Sequence, residues 1–236
     1  MINVRLLSCL LWLAVILILP IGTASAQKHE YEDLDEPESK VINPDHDKII
    51  KFRPLDIGQV SFSYEKLRTS KVSNEIVVSY VYKAFFKDGF IPQDKKVNGV
   101  GIQMNQRHYT SKKKDSPFGF YHGPKFGASL IIFENDIFGK EYSDPNSDNF
   151  VGRLSQTSLD LGYLIGGQFQ LGKHLTLDTG GSLGARLKNA NASGAEKEGL
   201  NLLTQNIIGH ALRTDEGSTI FWVPLPQLHI SVGYSF

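Results

Sequence analysis

The stretch that decides the fold is Gln227-Leu228-His229-Ile230-Ser231-Val232-Gly233-Tyr234-Ser235-Phe236. Leu228, Ile230, Val232, Tyr234 and Phe236 take every second position, and polar or small residues take the others. Successive side chains of an extended strand point to opposite faces, so this pattern predicts one apolar and one polar face. A final aromatic ring suits the boundary between lipid and water. In water, five matched apolar positions on an edge strand would invite aggregation. The stretch therefore reads as the closing strand of a membrane barrel rather than the edge of a soluble sandwich.

Working back from it, the same period of two recurs as far as Lys48. Strands are expected at about 48–55, 59–67, 75–86, 97–109, 118–133, 156–170, 174–187 and 219–236. Ile50 and Phe52 oppose Lys51 and Arg53; Ile76, Val78, Tyr80 and Tyr82 share a face; so do Leu159, Leu161, Tyr163 and Ile165. Phe118, Phe120, Phe126, Ala128, Leu130 and Ile132 share a parity, and Pro124 among them predicts a bulge, because proline cannot donate to the ladder. Eight strands make an even number, and an up-and-down bacterial barrel keeps both ends on one side. The expected fold is thus all-β, an eight-stranded antiparallel up-and-down transmembrane β-barrel. Connections 68–73, 110–117 and 171–173 fall on the periplasmic side and are short; 87–96, 134–154 and 188–217 fall outside and are longer. The 56–58 turn, outside yet short, is the exception. Within 188–217, the part from Leu200 to Leu212 reads either as a short helix or as strand extensions.

The N-terminus carries an export signal. Arg5 precedes an apolar run from Leu6 to Leu19, Pro20 and Gly22 break it, and Ala24-Ser25-Ala26 offers a cleavage site before Gln27. The run falls short of the roughly 20 apolar residues of a spanning helix. Residues 1–26 are expected as a signal peptide, 27–47 as a flexible acidic periplasmic leader, and 48–236 as the barrel in a Gram-negative outer membrane. Glu30, Glu32, Asp33, Asp35, Glu36 and Glu38 give the leader its character. Cys9, the single cysteine, lies in the signal, so no disulfide is expected.

Net charge is zero, which argues against a nucleic-acid partner. In a barrel the polar faces meet inside. They collect Lys51, Arg53, Glu65, Glu75, Lys83, Arg107, Lys125, Asp160, Asp178, Arg186 and His229. Eight strands enclose only enough room for side chains, so an internal network of paired charges is expected rather than an open channel.

Three further stretches carry a resemblance: Val60-Ser61-Phe62-Ser63-Tyr64-Glu65-Lys66, Gly119-Phe120-Tyr121-His122-Gly123-Pro124 and Leu171-Gly172-Lys173-His174-Leu175-Thr176-Leu177-Asp178. They look like those of a small outer-membrane barrel family of unknown function, common in Bacteroidetes-type bacteria. The resemblance implies an eight-stranded barrel and brings no active site.

The functional expectation is a non-catalytic envelope barrel with a structural or loop-mediated binding role. Its expected surroundings are outer-membrane lipid and lipopolysaccharide, with the barrel-assembly machinery during biogenesis and a monomeric final state. No cofactor or metal is expected. One alternative is a lipid-modifying enzyme of the same architecture, which needs a serine, a histidine and a carboxylate at the outer rim. His210 with Asp215 and Ser218 are the candidates there, whereas His108 and His122 sit at the opposite rim. Gly99-Val100-Gly101 and Gly180-Gly181 fall inside strands and read as relief of crowding. The second alternative is a soluble periplasmic β-sandwich binding module.

Overall fold

Alternating sequences of this kind leave half of each strand's side chains seeking a common interior, and closing the sheet on itself provides one. In the computed structural model, residues 46–56, 58–86, 89–90, 97–111, 117–134, 137, 144–146, 150–194, 204–205, 207–215 and 217–236 are described. The expected signal peptide, its Ala24, Ala26 and Gln27, and the leader up to residue 45 lie outside them. So do 91–96, 138–143 and 195–203 of the expected loops.

The strands are β1 (Lys48–Arg53), β2 (Gln59–Thr69), β3 (Val72–Val81), β4 (Phe85–Phe86), β5 (Gly89–Phe90), β6 (Val97–Tyr109), β7 (Gly119–Phe133), β8 (Gly152–Gln170), β9 (Leu175–Gly194), β10 (His210–Asp215), β11 (Ser218–Pro224) and β12 (Gln227–Ser235). Eight of them form a closed antiparallel ring in the order β12-β1-β2-β3-β6-β7-β8-β9, with β9 pairing back to β12. Ring neighbours are sequence neighbours except at the closure, where Ile49 faces Ser235 and Phe52 faces Val232. Backbone bonds from Lys48 N to Phe236 O (3.1 Å) and Phe236 N to Lys48 O (2.9 Å) complete it. Every ring strand has a bonded neighbour on both edges. A two-sheet sandwich, which must keep edge strands, does not describe this fold.

Several boundaries depart from the sequence reading. The third strand begins at Val72 because the turn before it is tight: Thr69 Oγ1 accepts from the amides of Lys71 (3.3 Å) and Val72 (3.1 Å). It ends at Val81, and Phe85–Phe86 pairs with Gly89–Phe90 in a separate small hairpin. β8 and β9 run on to Gly152 and Gly194, into segments expected as loop. Part of the 188–217 segment is also strand: β10 pairs with β11, and β11 pairs with the upper half of β9. The last strand is interrupted at Leu225 and Pro226, yet its register against β9 carries straight across, and Leu225 N still reaches Gly184 O at 2.8 Å. His46 and Asp47, assigned by sequence to the leader, are held to the ring: His46 Nδ1 lies 3.0 Å from Ser235 Oγ, and Leu67 N donates to Asp47 O at 2.8 Å.

The bulge expected at Pro124 is absent. Asn105 faces Lys125 and His108 faces His122, so the register on either side of Pro124 is the same. Two ladder positions lapse and no residue is added. The neighbour Gly123 explains how: a Cβ there would lie 1.9 Å from Gln106 O, so β6 and β7 approach too closely for any side chain. Gly123→Ala should therefore force the strands apart, costing about 1–3 kcal/mol in urea unfolding. Gly172→Ala, with open space around the added carbon, should be close to neutral in the same assay. Phe118 also departs from its expected outward parity. Gly119 at φ 110° breaks the alternation, and Phe118 is buried with its ring edge on His46 at 5.8 Å.

Candidate functional site

The parity read from the sequence becomes an outside and an inside. Outward lie Ile50, Phe62, Val78, Ile102, Leu161 and their neighbours, with Leu183, Phe120 and Ile165 at 70%, 67% and 65% exposure. Leu228, Ile230, Val232, Tyr234 and Phe236 all stand on this outer face of β12. Inward lie Glu75, Arg107 and Asp178, each at 0%. The usual arrangement of a protein in water is inverted.

The inner face is layered. At the end nearest the β1–β12 closure is an ionic layer. Glu65 and Glu75 face each other directly across β2 and β3, a pairing that repels on its own. Cations from other strands offset it. Lys51 Nζ reaches Glu65 (2.5 Å), Glu75 (3.6 Å) and Asp178 (3.0 Å). Arg107 donates Nη2 to Glu75 Oε2 (2.6 Å) and Nη1 to Asp178 Oδ2 (2.8 Å), and its guanidinium lies over the Tyr121 ring at 4.2 Å. Arg53 Nη2 adds a bond to Glu75 at 3.2 Å.

Neutral donors fill the remaining lone pairs. Tyr109 donates to Glu65 (2.6 Å), as does Ser73. Ser63 (2.8 Å) and Asn105 (2.7 Å) donate to Glu75, and Tyr121 (2.6 Å) to Asp178. Gln168 accepts from Lys51 and donates to Pro117 O (2.6 Å). His229 Nε2 approaches Tyr121 Oη at 3.0 Å and Asp178 Oδ1 at 3.6 Å. The layer is a plug whose carboxylates are all engaged, while the buried Nε atoms of Arg53 and Arg107 have no acceptor. None of its carboxylates stands ready as a base, and each position depends on several strands at once.

At the opposite end, the extended parts of β8, β9 and β11 enclose an apolar cluster. It contains Val81, Val97, Ile131, Phe133, Val151, Leu154, Ala190, Ala192, Ile207 and Phe221. Between the two layers a cavity of about 250 Å³ remains, lined by charged side chains that include Arg53, Asp160, Arg186 and Lys188.

A scan of protein-family models and a search of curated proteins both return no match to this chain.

Most of the charges expected inside are there. Lys51, Arg53, Glu65, Glu75, Arg107, Lys125 and Asp178 are buried, and Asp160, Arg186 and His229 are half-buried. Lys83 differs: it lies beyond the end of β3 and is exposed, because strand alternation stops at Val81. The rim triad is not assembled. His210 and Asp215 open and close β10, about 16 Å apart at strand rise, and His210 stacks instead on Trp222 at 6.2 Å. His108 and His122 stack on each other at 5.9 Å on the outer face, with His122 Nδ1 at 2.5 Å from Tyr163 Oη. Gly99 and Gly101 face inward, close to Ile131 and Ser79, where side chains would crowd. Among the described residues no group of His, Cys, Asp or Glu is arranged to hold a metal ion.

Sequence reasoning misses several members of the interior. Tyr109 and Tyr121 share the inward parity of Arg107 and Lys125, a signal that their aromatic character masked. Lys188 falls in the segment expected as loop, yet Lys188, Ala190 and Ala192 continue the inward parity of β9.

Proposed function

We propose that this chain is an integral β-barrel of a bacterial outer membrane, non-catalytic, serving the envelope structurally or binding through the long connections at one rim. One observation carries the reading: the ring has its charges inside and its large apolar side chains outside. A water-soluble monomer rarely exposes a contiguous apolar patch beyond a few hundred Å², and here such residues encircle the strands. Hydrocarbon is the solvent that makes this polarity favourable, and the closed ring gives every ring strand a bonded neighbour on both sides, as a bilayer requires. Tyr64, Tyr234 and Phe236 on the outer face are the kind of residue that borders such a belt. The amino-terminal signal and the resemblance to small outer-membrane barrels point the same way.

The orientation proposed puts the turns at Ser70–Lys71 and 171–174 toward the periplasm and the stretch 195–217, which includes β10, outside. The expected result of cell fractionation is retention in carbonate-washed outer membranes, with faster gel migration before boiling than after. Protease added to intact cells should cut within 195–217. Release of the protein by carbonate, as a monomer soluble without detergent, would overturn the reading.

A further inference from the structure

Among the described residues, the cavity between the ionic layer and the apolar cluster is lined by more basic than acidic side chains. Of the two carboxylates among its described lining residues, Asp160 accepts two bonds from Arg186 at 2.6 Å each, and Asp56 accepts from Ser61 (2.5 Å) and Gln59 (3.3 Å). Lys188, 8% exposed, reaches only a neutral acceptor, Ile208 O at 3.4 Å. Lys125, 5% exposed, reaches Ser182 Oγ at 3.2 Å and the amide oxygen of Gln227, itself part of the cavity wall. Among the described residues neither lysine forms an ion pair. Arg53, also on the wall, gives Nη2 to Glu75, while its buried Nε has no acceptor.

A buried ammonium with no carboxylate in bonding reach is costly, because neutral oxygens replace only part of its hydration. Two such groups beside one space, with the Arg53 guanidinium on the same wall, describe a receptor for negative charge. The volume decides the size of the guest. About 250 Å³ is below the roughly 300–1,000 Å³ of pockets for drug-sized ligands, so the space suits a small guest.

We propose that this cavity binds a small oxyanion such as phosphate, held by Lys188 and Arg53 on its wall with Lys125 adding charge from behind Gln227. The site goes beyond the membrane reading and does not depend on what solvent meets the outer face.

The test is calorimetric titration of the purified full-length protein, in detergent at neutral pH and low salt, with inorganic phosphate. Saturable binding is expected. Lys188→Met should weaken it about tenfold or more, the weight of one charge-assisted bond. Lys188→Arg should keep most of the affinity, and Leu212→Ala, on exposed β10, should keep all of it. Gel migration before and after boiling confirms that each variant is folded, and it reports the barrel independently of the cavity. Absence of saturable phosphate binding to the unaltered protein would overturn the proposal, as would unchanged affinity in both Lys188→Met and Lys125→Met.

Discussion

Arg107→Met is expected to lower the unfolding free energy by about 3–5 kcal/mol, the range for removing one partner of a buried ionic network. The side chain is fully buried and bridges two carboxylates on different strands, Glu75 on β3 and Asp178 on β9. Without it, Lys51 and Arg53 remain to face Glu65, Glu75 and Asp178, and one negative charge stays uncompensated in the lumen. Tyr121 also loses the cation over its ring. The measurement is urea unfolding followed by Trp222 fluorescence, since Trp12 falls within the expected signal peptide. The companion double variant Arg107→Met with Glu75→Gln should recover more than half of the loss. Neutralising the orphaned acid removes the charge, and residues in one network couple strongly. Arg107→Lys should fall between, because an ammonium lacks the planar fork that spans both acids. A loss below about 1 kcal/mol for Arg107→Met would mean that the layer does not hold the ring together.

How far this interior was legible depends on which forces act locally. Parity is local: Ile50 against Lys51, or Leu161 against Asp160, follows from a two-residue period and needs no partner. Strand existence and facing were accordingly readable along most of the ring, failing where the period breaks, at Phe118 beside Gly119 and at Lys83 past the end of β3. Pairing inside the lumen is not local. Nothing near Arg107 in the sequence indicates that it meets Asp178, 71 positions away. Nor does the sequence place Glu65 opposite Glu75; that follows from the tight turn at Thr69 and the register it sets.

The strand ends were harder for a related reason. β8, β9 and β11 continue beyond the outward apolar stretch because their inward side chains switch from charged to apolar and form a conventional core. Ala190 and Ala192 are too small, and Asn189 and Asn191 too polar, to announce a strand by hydrophobic period. Pro124 misled in the opposite direction. The sequence shows a missing donor, but whether a chain bulges or lets the ladder lapse depends on how close the neighbouring strand lies. Gly123 supplies that closeness.

The outer face gives the second large effect. Leu161→Lys is expected to cost about 2–4 kcal/mol for the protein folded in a bilayer, the penalty for a cation on the lipid face near mid-membrane. Leu161 sits centrally in the outward row Leu159, Leu161, Tyr163 and Ile165 of β8 and pairs across to Phe126 and Ala185. It is 59% exposed and contributes little to any protein core. That makes the substitution diagnostic. On a ring bathed in water, exchanging an exposed leucine for lysine would fall within about 0.5 kcal/mol of neutral. On a ring bathed in hydrocarbon, the ammonium must reach the interface or carry water with it. The cost should shrink toward the belt's edge, so Tyr234→Lys, on the closing strand beside His174, is expected to lose no more than about 1 kcal/mol. Urea titration of both variants refolded into vesicles of one lipid reads the difference directly. A steep loss at Leu161 and a shallow one at Tyr234 would mean that depth in a bilayer, and not burial in protein, sets the energetics of this face. Equal and negligible losses would place the face in water.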